Sequence, residues 1–272
     1  MKSVSDQIGR NVTLASLPQR IISLVPSQTE LLCDLGLEDR LVGITKFCVH
    51  PEHLKRQKAL IGGTKQFNFD LIDRLQPDLI IANKEENPKP AVERLAEKYP
   101  VWVSDVFDLN SALQMITALG EITGTFDKAS MINREISTGF AELGEKIEET
   151  RRQTCLYLIW KDPYMAAGSD TFISDIMKHA GYDNMLETWG EKGKRYPRIS
   201  IAEIVSLSPA YIFFSSEPYP FRENHLVKLR EIVSSSCTLV DGEAFSWYGS
   251  RMIHALPYLI SLSEKVKTNA SD

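Results

Sequence analysis

One helix-then-strand pattern occurs twice in the sequence. Residues 68–81 read NFDLIDRLQPDLII and residues 200–213 read SIAEIVSLSPAYIF, and the two segments align without a gap. In each copy a polar residue of the type that caps helices comes first, a short apolar helix follows, and a proline separates this helix from a buried strand. Two copies of this unit predict two similar α/β lobes, each built on a small parallel sheet.

Outward from these copies, short β-branched runs alternate with amphipathic stretches, which is typical of α/β units. Strands are predicted at residues 21–25, 41–44, 79–81, 101–103, 154–160, 211–214 and 238–240. Helices are predicted at residues 69–75, 90–99, 171–180, 201–207 and 249–267. A further helix after the first strand is expected to be capped by Ser27 and ended by Gly36.

A long segment without proline separates the two halves. Its apolar residues recur at steps of 4, 4, 3 and 4, at Ile132, Ile136, Phe140, Leu143 and Ile147. This spacing predicts a single amphipathic helix, about 36 Å long at about 1.5 Å per residue. We therefore predict an N-terminal α/β lobe at residues 1–126, a bridging helix at residues 127–150 and a C-terminal α/β lobe at residues 151–272.

The composition excludes several classes of protein. With 43% hydrophobic and 25% charged residues, the chain of 272 residues is typical of globular proteins and not of disordered ones. A net charge of −5 offers no basic face for phosphates, so we expect no nucleic-acid partner. The four cysteines form no C-x-x-C pair, so their spacing predicts neither a zinc site nor a disulfide framework.

The sequence also bears on localisation. No run reaches the roughly 18 apolar residues that a membrane span needs. The first ten residues, MKSVSDQIGR, contain no apolar stretch of signal-peptide length. We expect a cytoplasmic protein if the sequence is complete, and a periplasmic or lipid-anchored protein outside the membrane if a leader was removed.

Three segments resemble a known family. They are RIISLVPSQTELL at residues 20–32, LQPDLIIA at residues 75–82, and residues 241–251 with Ser246, Trp247 and Tyr248. Together they resemble the helical-backbone class of substrate-binding proteins of ABC importers, which includes vitamin B12-binding and ferric-siderophore-binding proteins. The resemblance covers residues 10–267. It implies two α/β lobes joined by one helix, a ligand held in a cleft between them, and transport of a small-molecule metal chelate.

Aromatic residues that follow predicted strands are the candidate ligand contacts, since such surfaces hold flat chelates while a few polar groups set orientation. The candidates are Phe47, Phe107, Trp160, Tyr164, Tyr196, Trp247 and Tyr248, together with Arg195. For each aromatic the alternative is core packing. Arg195 belongs to a basic segment with Lys192, Lys194 and Arg198, which is either a solvated loop or a cationic lip for an anionic ligand. We expect no resident cofactor, because the cobalt- or iron-containing chelate is itself the ligand.

The family resemblance also implies docking to an ABC permease dimer through one acidic residue on each lobe. Counting back seven residues from the proline places this acid at Asp70 in the first copy. The same count gives Ala202 in the second copy, where the acid is the next residue, Glu203. Both acids have an alternative role in the first turn of a helix, where a carboxylate is stabilised by the helix dipole, and Glu203 can also form a capping box with Ser200.

Two further hypotheses concern chemistry. Cys48, His50 and His53 lie within six residues and are ligand types that suit zinc or copper, but no fourth ligand is identifiable, so a polar loop is the favoured interpretation. No nucleophile elbow, phosphate loop, dinucleotide turn or H-E-x-x-H motif is present, so we expect no catalytic residue. The alternative function is a cytoplasmic tetrapyrrole- or corrinoid-handling protein or enzyme that shares the fold.

Overall fold

The structure, a computed structural model, describes residues 2–148, 152–187, 189 and 194–269. The chain folds into two units, and each begins and ends at several points along the sequence. Unit 1 comprises Met1–Val106, Asn110–Ile136 and Tyr248–Arg251. Unit 2 comprises Phe107–Leu109, Ser137–Trp247 and Met252–Asp272.

Unit 1 is built on a five-stranded parallel sheet. Its strands, with the hairpin strands β1 and β2 that precede them, are β1 (Lys2–Ser5), β2 (Asn11–Leu14), β3 (Ile21–Ser23), β4 (Leu41–Ile44), β5 (Ala59–Leu60), β6 (Leu79–Asn83) and β7 (Val101–Ser104). Over the described residues the order across the sheet is β5-β4-β3-β6-β7. Every residue of β3, β6 and β7 is buried, which explains why these strands read as continuous apolar runs and not as an alternation.

Helices connect these strands and continue beyond them. They are α1 (Pro26–Asp34), α2 (Leu54–Gln57), α3 (Phe69–Leu75), α4 (Lys89–Ala96), α5 (Leu109–Thr123) and α6 (Phe126–Glu148). A Cβ at Gly120 of α5 would lie 2.4 Å from the Cβ of Ala129 of α6, which shows how closely the two helices pack.

Unit 2 contains a second small parallel sheet. Its strands are β8 (Gln153–Trp160), β9 (Met165–Ala166), β10 (Tyr182–Asn184), β11 (Tyr211–Ser215) and β12 (Ser236–Val240). Within the described part of the chain the parallel strands are ordered β10-β8-β11-β12, and β9 pairs antiparallel with β8. The helices are α7 (Phe172–His179), α8 (Ile201–Leu207), α9 (Glu223–Arg230), α10 (Gly242–Ser246) and α11 (Arg251–Asn269).

The long helix is confirmed as α6. The division between the units falls between Ile136 and Ser137, inside this helix, so α6 contributes residues to both units. Of the apolar residues that predicted it, Ile136, Phe140, Leu143 and Ile147 are buried and Ile132 is half-buried. The last two residues of the predicted span, 149 and 150, lie outside the described residues. The predicted fold class, two α/β units with small parallel sheets and one long helix, is confirmed.

The two sequence copies form the same local structure. The Asn68 side chain accepts a hydrogen bond from the Leu71 N–H at 3.0 Å, and the Ser200 hydroxyl accepts one from the Glu203 N–H at 3.3 Å. Each helix then ends at a left-handed residue, Gln76 with φ 44° and Ser208 with φ 46°. This conformation turns the chain out of the helix, and the proline that follows cannot continue it.

Local patterns mispredicted some elements. Ser27 does not cap α1: Val25 is the N-cap residue and makes no side-chain cap, while Pro26 occupies the first turn, where its missing N–H costs nothing. α5, α9 and α10 were not predicted. α5 is apolar at Ala112, Met115, Ile116, Leu119 and Ile122, all buried, so its helical spacing was present in the sequence.

The left-handed end of α3 gives a testable prediction. We expect Gln76→Gly to stabilise the protein by about 0.5–1 kcal/mol, because glycine adopts positive φ without the Cβ strain that glutamine carries there. Urea unfolding measures the change. Gln76→Ala is the matched control, since it removes the same exposed side chain but keeps the Cβ. Equal stability of the glycine and alanine variants would contradict the explanation.

Candidate functional site

A cavity of about 400 Å³ lies within unit 2. Phe107 and Arg195, two of the predicted ligand residues, both line it. The other lining residues are Asp108, Ser169, Asp170, Ser174, Asp175, Lys178 and Glu187. The volume is near the lower end of the range for small-molecule sites, so the cavity can hold a small ligand or part of a large one.

A close contact between two backbone segments positions one wall of this cavity. The Gly168 N–H donates to the Arg195 carbonyl at 2.7 Å, and a Cβ at position 168 would lie 2.5 Å from the Lys194 carbonyl oxygen. Only glycine permits this approach, which brings the Arg195 segment beside the start of α7. Thr171 caps α7 by accepting from the Ser174 N–H at 3.2 Å and donates to the Gly168 carbonyl at 2.8 Å.

The charged groups of the cavity differ in how they are engaged. The Asp175 carboxylate accepts from the Leu109 N–H at 2.8 Å and lies 3.6 Å from the His179 ring. Burial raises the pKa of Asp175, but the hydrogen bonds from His179 and Leu109 outweigh it and the pKa is lowered. Asp170 and Glu187 are exposed at the rim, and neither carboxylate has a partner among the described residues.

Trp160 lies at the carboxyl end of β8 and exposes 41% of its surface. The Tyr219 ring packs against it, with ring centroids 5.6 Å apart and planes at 69°. Tyr219 in turn contacts Phe221 and His225, and its N–H donates to the Ile159 carbonyl at 3.3 Å. Trp160 and Tyr219 therefore form an aromatic pair, and Tyr219 packs against the core of unit 2. Tyr219 was not among the predicted ligand residues, although its position after β11 was a signal for it.

Trp247 is largely buried, with 9% of its surface exposed. Its indole N–H donates to the Glu217 carboxylate at 2.7 Å, and the Ser246 hydroxyl lies 2.8 Å from the same oxygen. Glu217 follows β11 and Trp247 follows α10, so one carboxylate joins the two loops. Burial raises the pKa of Glu217. The hydrogen bonds from Ser246 and Trp247 oppose this shift, but the pKa stays raised.

The remaining aromatic candidates lie in different settings. Phe47, in unit 1, is 51% exposed and has the Lys46 ammonium 5.1 Å from its ring centroid. Tyr248, also in unit 1, is buried, and burial raises its pKa well above the ordinary value. Tyr164 is half-buried against the core of unit 2. Tyr196 is also half-buried, and it follows the cavity residue Arg195 in the sequence.

The polar residues considered as metal ligands have other partners. Cys48 is fully buried, and its Sγ donates to the Thr29 hydroxyl at 3.2 Å. The His53 ring lies 2.8 Å from Glu38. Across the described residues, no group of three or more His, Cys, Asp or Glu side chains is placed to hold a metal ion.

The two docking candidates are both exposed but differ in their surroundings. Glu203 completes a capping box, because its carboxylate accepts from the Ser200 N–H and hydroxyl, both at 2.7 Å. These hydrogen bonds lower the pKa of Glu203. Asp70 lies in the first turn of α3, and its side chain contacts no described hydrogen-bond or ion-pair partner. The alternative role in helix capping is therefore present for Glu203, whereas docking stays a prediction for both.

The basic segment is only partly described. Lys194 and Arg198 are exposed, and Arg198 forms an isolated β-bridge with Met165. Lys192 lies outside the described residues. Of this segment, Arg195 alone lines the cavity of unit 2 among the residues that the structure describes.

Two α/β units with parallel sheets, and a cavity lined by aromatic and charged side chains, define a class of small-molecule-binding α/β protein. Residues 21–235 match the family described as periplasmic binding protein. This match covers most of the chain, and the protein belongs to this family. None of the helices in the described part of the chain has the length and apolar character that crossing a bilayer requires.

Individual relatives agree with the family. The chain is 26% identical to a vitamin B12-binding protein of Vibrio campbellii over 199 residues, which is 72% of this chain and 70% of the relative. It is 25% identical to an uncharacterized ABC transporter substrate-binding lipoprotein of Bacillus subtilis, covering 64% of this chain and 58% of the relative. Among solved structures, the apo periplasmic heme-binding protein RhuT of Roseiflexus superposes with a TM-score of 0.80 at 18% identity, covering 91% of this chain and 98% of that one.

The buried carboxyl of Glu217 gives a testable prediction. Burial raises its pKa above the ordinary 4.5, so the folded state holds this proton more tightly than the unfolded state. The stability from Glu217 is therefore fully present below the unfolded-state pKa and is lost as pH rises through the folded-state pKa. Since glutamine does not titrate, the stability of Glu217→Gln relative to wild type should rise between about pH 4 and about pH 7.

Denaturant unfolding across this pH range measures the difference. Glu231→Gln is the control, because Glu231 is exposed on the same unit and its substitution should show no such trend. A relative stability of Glu217→Gln that stays level or falls with pH would contradict the assignment.

Proposed function

We propose that this protein is the substrate-binding component of an ABC importer and that its cargo is a metal chelate. The chelate classes are a cobalamin-like corrinoid, a haem or a ferric siderophore. The metal, cobalt or iron, enters as part of the cargo, and the protein needs no cofactor of its own. Family membership supports the transport role, and the names of the relatives, which include vitamin B12-binding and heme-binding proteins, support this range of cargo.

The observation that carries the proposal is the exposed aromatic pair of Trp160 and Tyr219. Trp160 leaves 41% of its surface in solvent at the end of a strand in which residues 155–159 are buried, so its indole is available to a ligand. Tyr219 packs edge-on at 5.6 Å and holds the indole in one orientation. A rigid apolar face at the carboxyl end of a parallel strand is suited to contact the flat face of a macrocycle or an aromatic chelate.

The cavity supplies the polar part of recognition. Phe107 contributes a further apolar face with 45% of its surface exposed, and Arg195 and Lys178 add cationic groups. These residues can bind and orient a ligand, and the proposal gives them no catalytic step. The cargo is released unchanged.

Trp160 provides the direct test of the proposal. Trp160→Ala should weaken chelate binding at least about fivefold, since stacking on an aromatic side chain is worth about 1–3 kcal/mol. The thermal midpoint should change little because the side chain is partly exposed. Isothermal titration calorimetry with cobalamin, cobinamide, haem and ferric hydroxamates and catecholates measures the loss.

The matched control for that test is Ile232→Ala, which removes an apolar side chain that is 52% exposed elsewhere on unit 2. It should leave affinity unchanged. Failure of every chelate to bind below about 100 µM would overturn the proposal.

The proposed partner is the permease dimer of the importer, contacted through Asp70 of unit 1 and Glu203 of unit 2. The proposed location is outside the cytoplasmic membrane, in the periplasm or on a lipid anchor. An in-frame signal sequence or lipobox in the upstream DNA tests the location. The alternative, a cytoplasmic tetrapyrrole- or corrinoid-handling protein or enzyme, gains no support from the relatives, whose names describe binding proteins.

Asp70 tests the docking proposal. Asp70→Lys should reduce stimulation of the permease ATPase in liposomes about tenfold, because a reversed charge replaces an attraction by a repulsion. The variant should still fold, since Asp70 contacts no described partner and the lost helix-dipole interaction costs only about 1 kcal/mol. Asp39→Lys reverses another exposed carboxylate of unit 1 and is the control. Equal stimulation by wild type and Asp70→Lys would exclude Asp70 from the interface.

A further inference from the structure

Among the residues that the structure describes, the lining of the cavity of unit 2 is more acidic than basic. Of the described residues that line it, Asp108, Asp170, Asp175 and Glu187 are carboxylates, whereas Lys178 and Arg195 are cations. Four carboxylates against two cations leave two net negative charges. A ligand that enters this cavity meets an excess of hydrogen-bond acceptors over donors.

These groups are not equally available to a ligand. The Asp175 carboxylate is held by the Leu109 N–H at 2.8 Å and the His179 ring at 3.6 Å, so it is already satisfied. Asp108 and Arg195 also have partners within the protein. Lys178 is exposed and lies near enough to Asp175 to help lower the pKa of that carboxyl. The Asp170 and Glu187 side chains have no partner in the part of the chain that the structure describes, and both are exposed at the rim.

The backbone gives the rim residues defined positions. Asp170 immediately precedes the Thr171 cap of α7, whose hydroxyl is fixed by Gly168 at 2.8 Å. Glu187 ends the 3-10 helix Met185–Glu187, which follows a buried Asn184 whose amide donates to the Ala167 carbonyl and the Ser174 hydroxyl, both at 3.0 Å. The segments that carry Asp170 and Glu187 are therefore both hydrogen-bonded to residues 167–174, which form one wall of the cavity.

We infer that Asp170 and Glu187 determine specificity, by selecting chelates whose periphery carries amide or ammonium N–H groups and rejecting chelates that carry carboxylates or a strong negative charge. The inference rests on the proposed function and narrows its cargo. Carboxylate oxygens accept hydrogen bonds from N–H donors, and they repel an anionic periphery that lies close to them. Lys178 interacts electrostatically with Asp175, and Arg195 has a partner within the protein, so Asp170 and Glu187 are the carboxylates of the described lining that are left for a ligand.

The test compares four chelates of different charge by isothermal titration calorimetry. Cyanocobalamin presents amide side chains, and ferrioxamine B is a ferric hydroxamate with a free ammonium group. Haemin carries propionates, and a ferric tris-catecholate is strongly anionic. We expect the tighter binder of the first pair to have a Kd at least about tenfold lower than that of the tighter binder of the second pair at low salt, and this gap in Kd to narrow as salt is raised.

Two double variants assign that gap to particular residues. Asp170→Asn with Glu187→Gln should narrow the gap about tenfold, because two repelling charges are removed while the size of each side chain is kept. Asp162→Asn with Glu231→Gln removes two exposed carboxylates of unit 2 that do not line the cavity, and should leave the gap unchanged. Thermal midpoints confirm that all variants fold.

The outcomes separate the inference from the proposed function. Tightest binding of an anionic chelate, or equal narrowing of the gap by both double variants, would overturn the specificity assignment while leaving chelate transport in place. Failure of all four chelates to bind would overturn the proposed function and this inference with it.

Discussion

The ion pair between Glu30 and Arg251 is the constraint that attaches the segment Tyr248–Arg251 to the rest of unit 1. Two hydrogen bonds join the guanidinium to the carboxylate, with Nε at 2.9 Å from one oxygen, across 221 residues of sequence. Glu30 lies on α1 and Arg251 begins α11, so residues from the two ends of the chain meet in one unit. Burial raises the pKa of Glu30, against the opposing influence of Arg251. Such a pair costs stability to desolvate, but removing one partner costs more, typically about 3–5 kcal/mol.

Two neighbouring residues just before Arg251 belong to different units. Tyr248 is part of unit 1 together with Arg251, whereas Trp247 is part of unit 2, where Glu217 holds its indole. Gly249, with φ 101°, supplies the left-handed turn that follows. Residues that are adjacent in sequence therefore act in different units, and a role assigned to one of them does not transfer to the other.

The parallel sheets explain why binding groups gather after strands. In unit 2, β8 and β11 run in the same direction, so Trp160 and the loop with Glu217 and Tyr219 leave the sheet at the same edge. Most residues of β8 and β11 are buried, while the loops that follow are held by caps, glycine contacts and single carboxylates. This division lets the ligand-facing groups vary without disturbing the core.

Local patterns were sufficient for the repeated helices and most strands, because caps, left-handed helix ends and prolines act within a few residues of one another. The bounds of α3, α8 and β4 agree with the predicted ones for this reason. Contacts between residues that are far apart in the sequence could not be predicted from it. Phe107 and Arg195 share a cavity with Asp170 and Glu187, and Glu217 binds Trp247 thirty residues away, only because the sheet and its helices bring these segments together. No spacing along the chain records such contacts, since they depend on packing between elements that are distant in sequence.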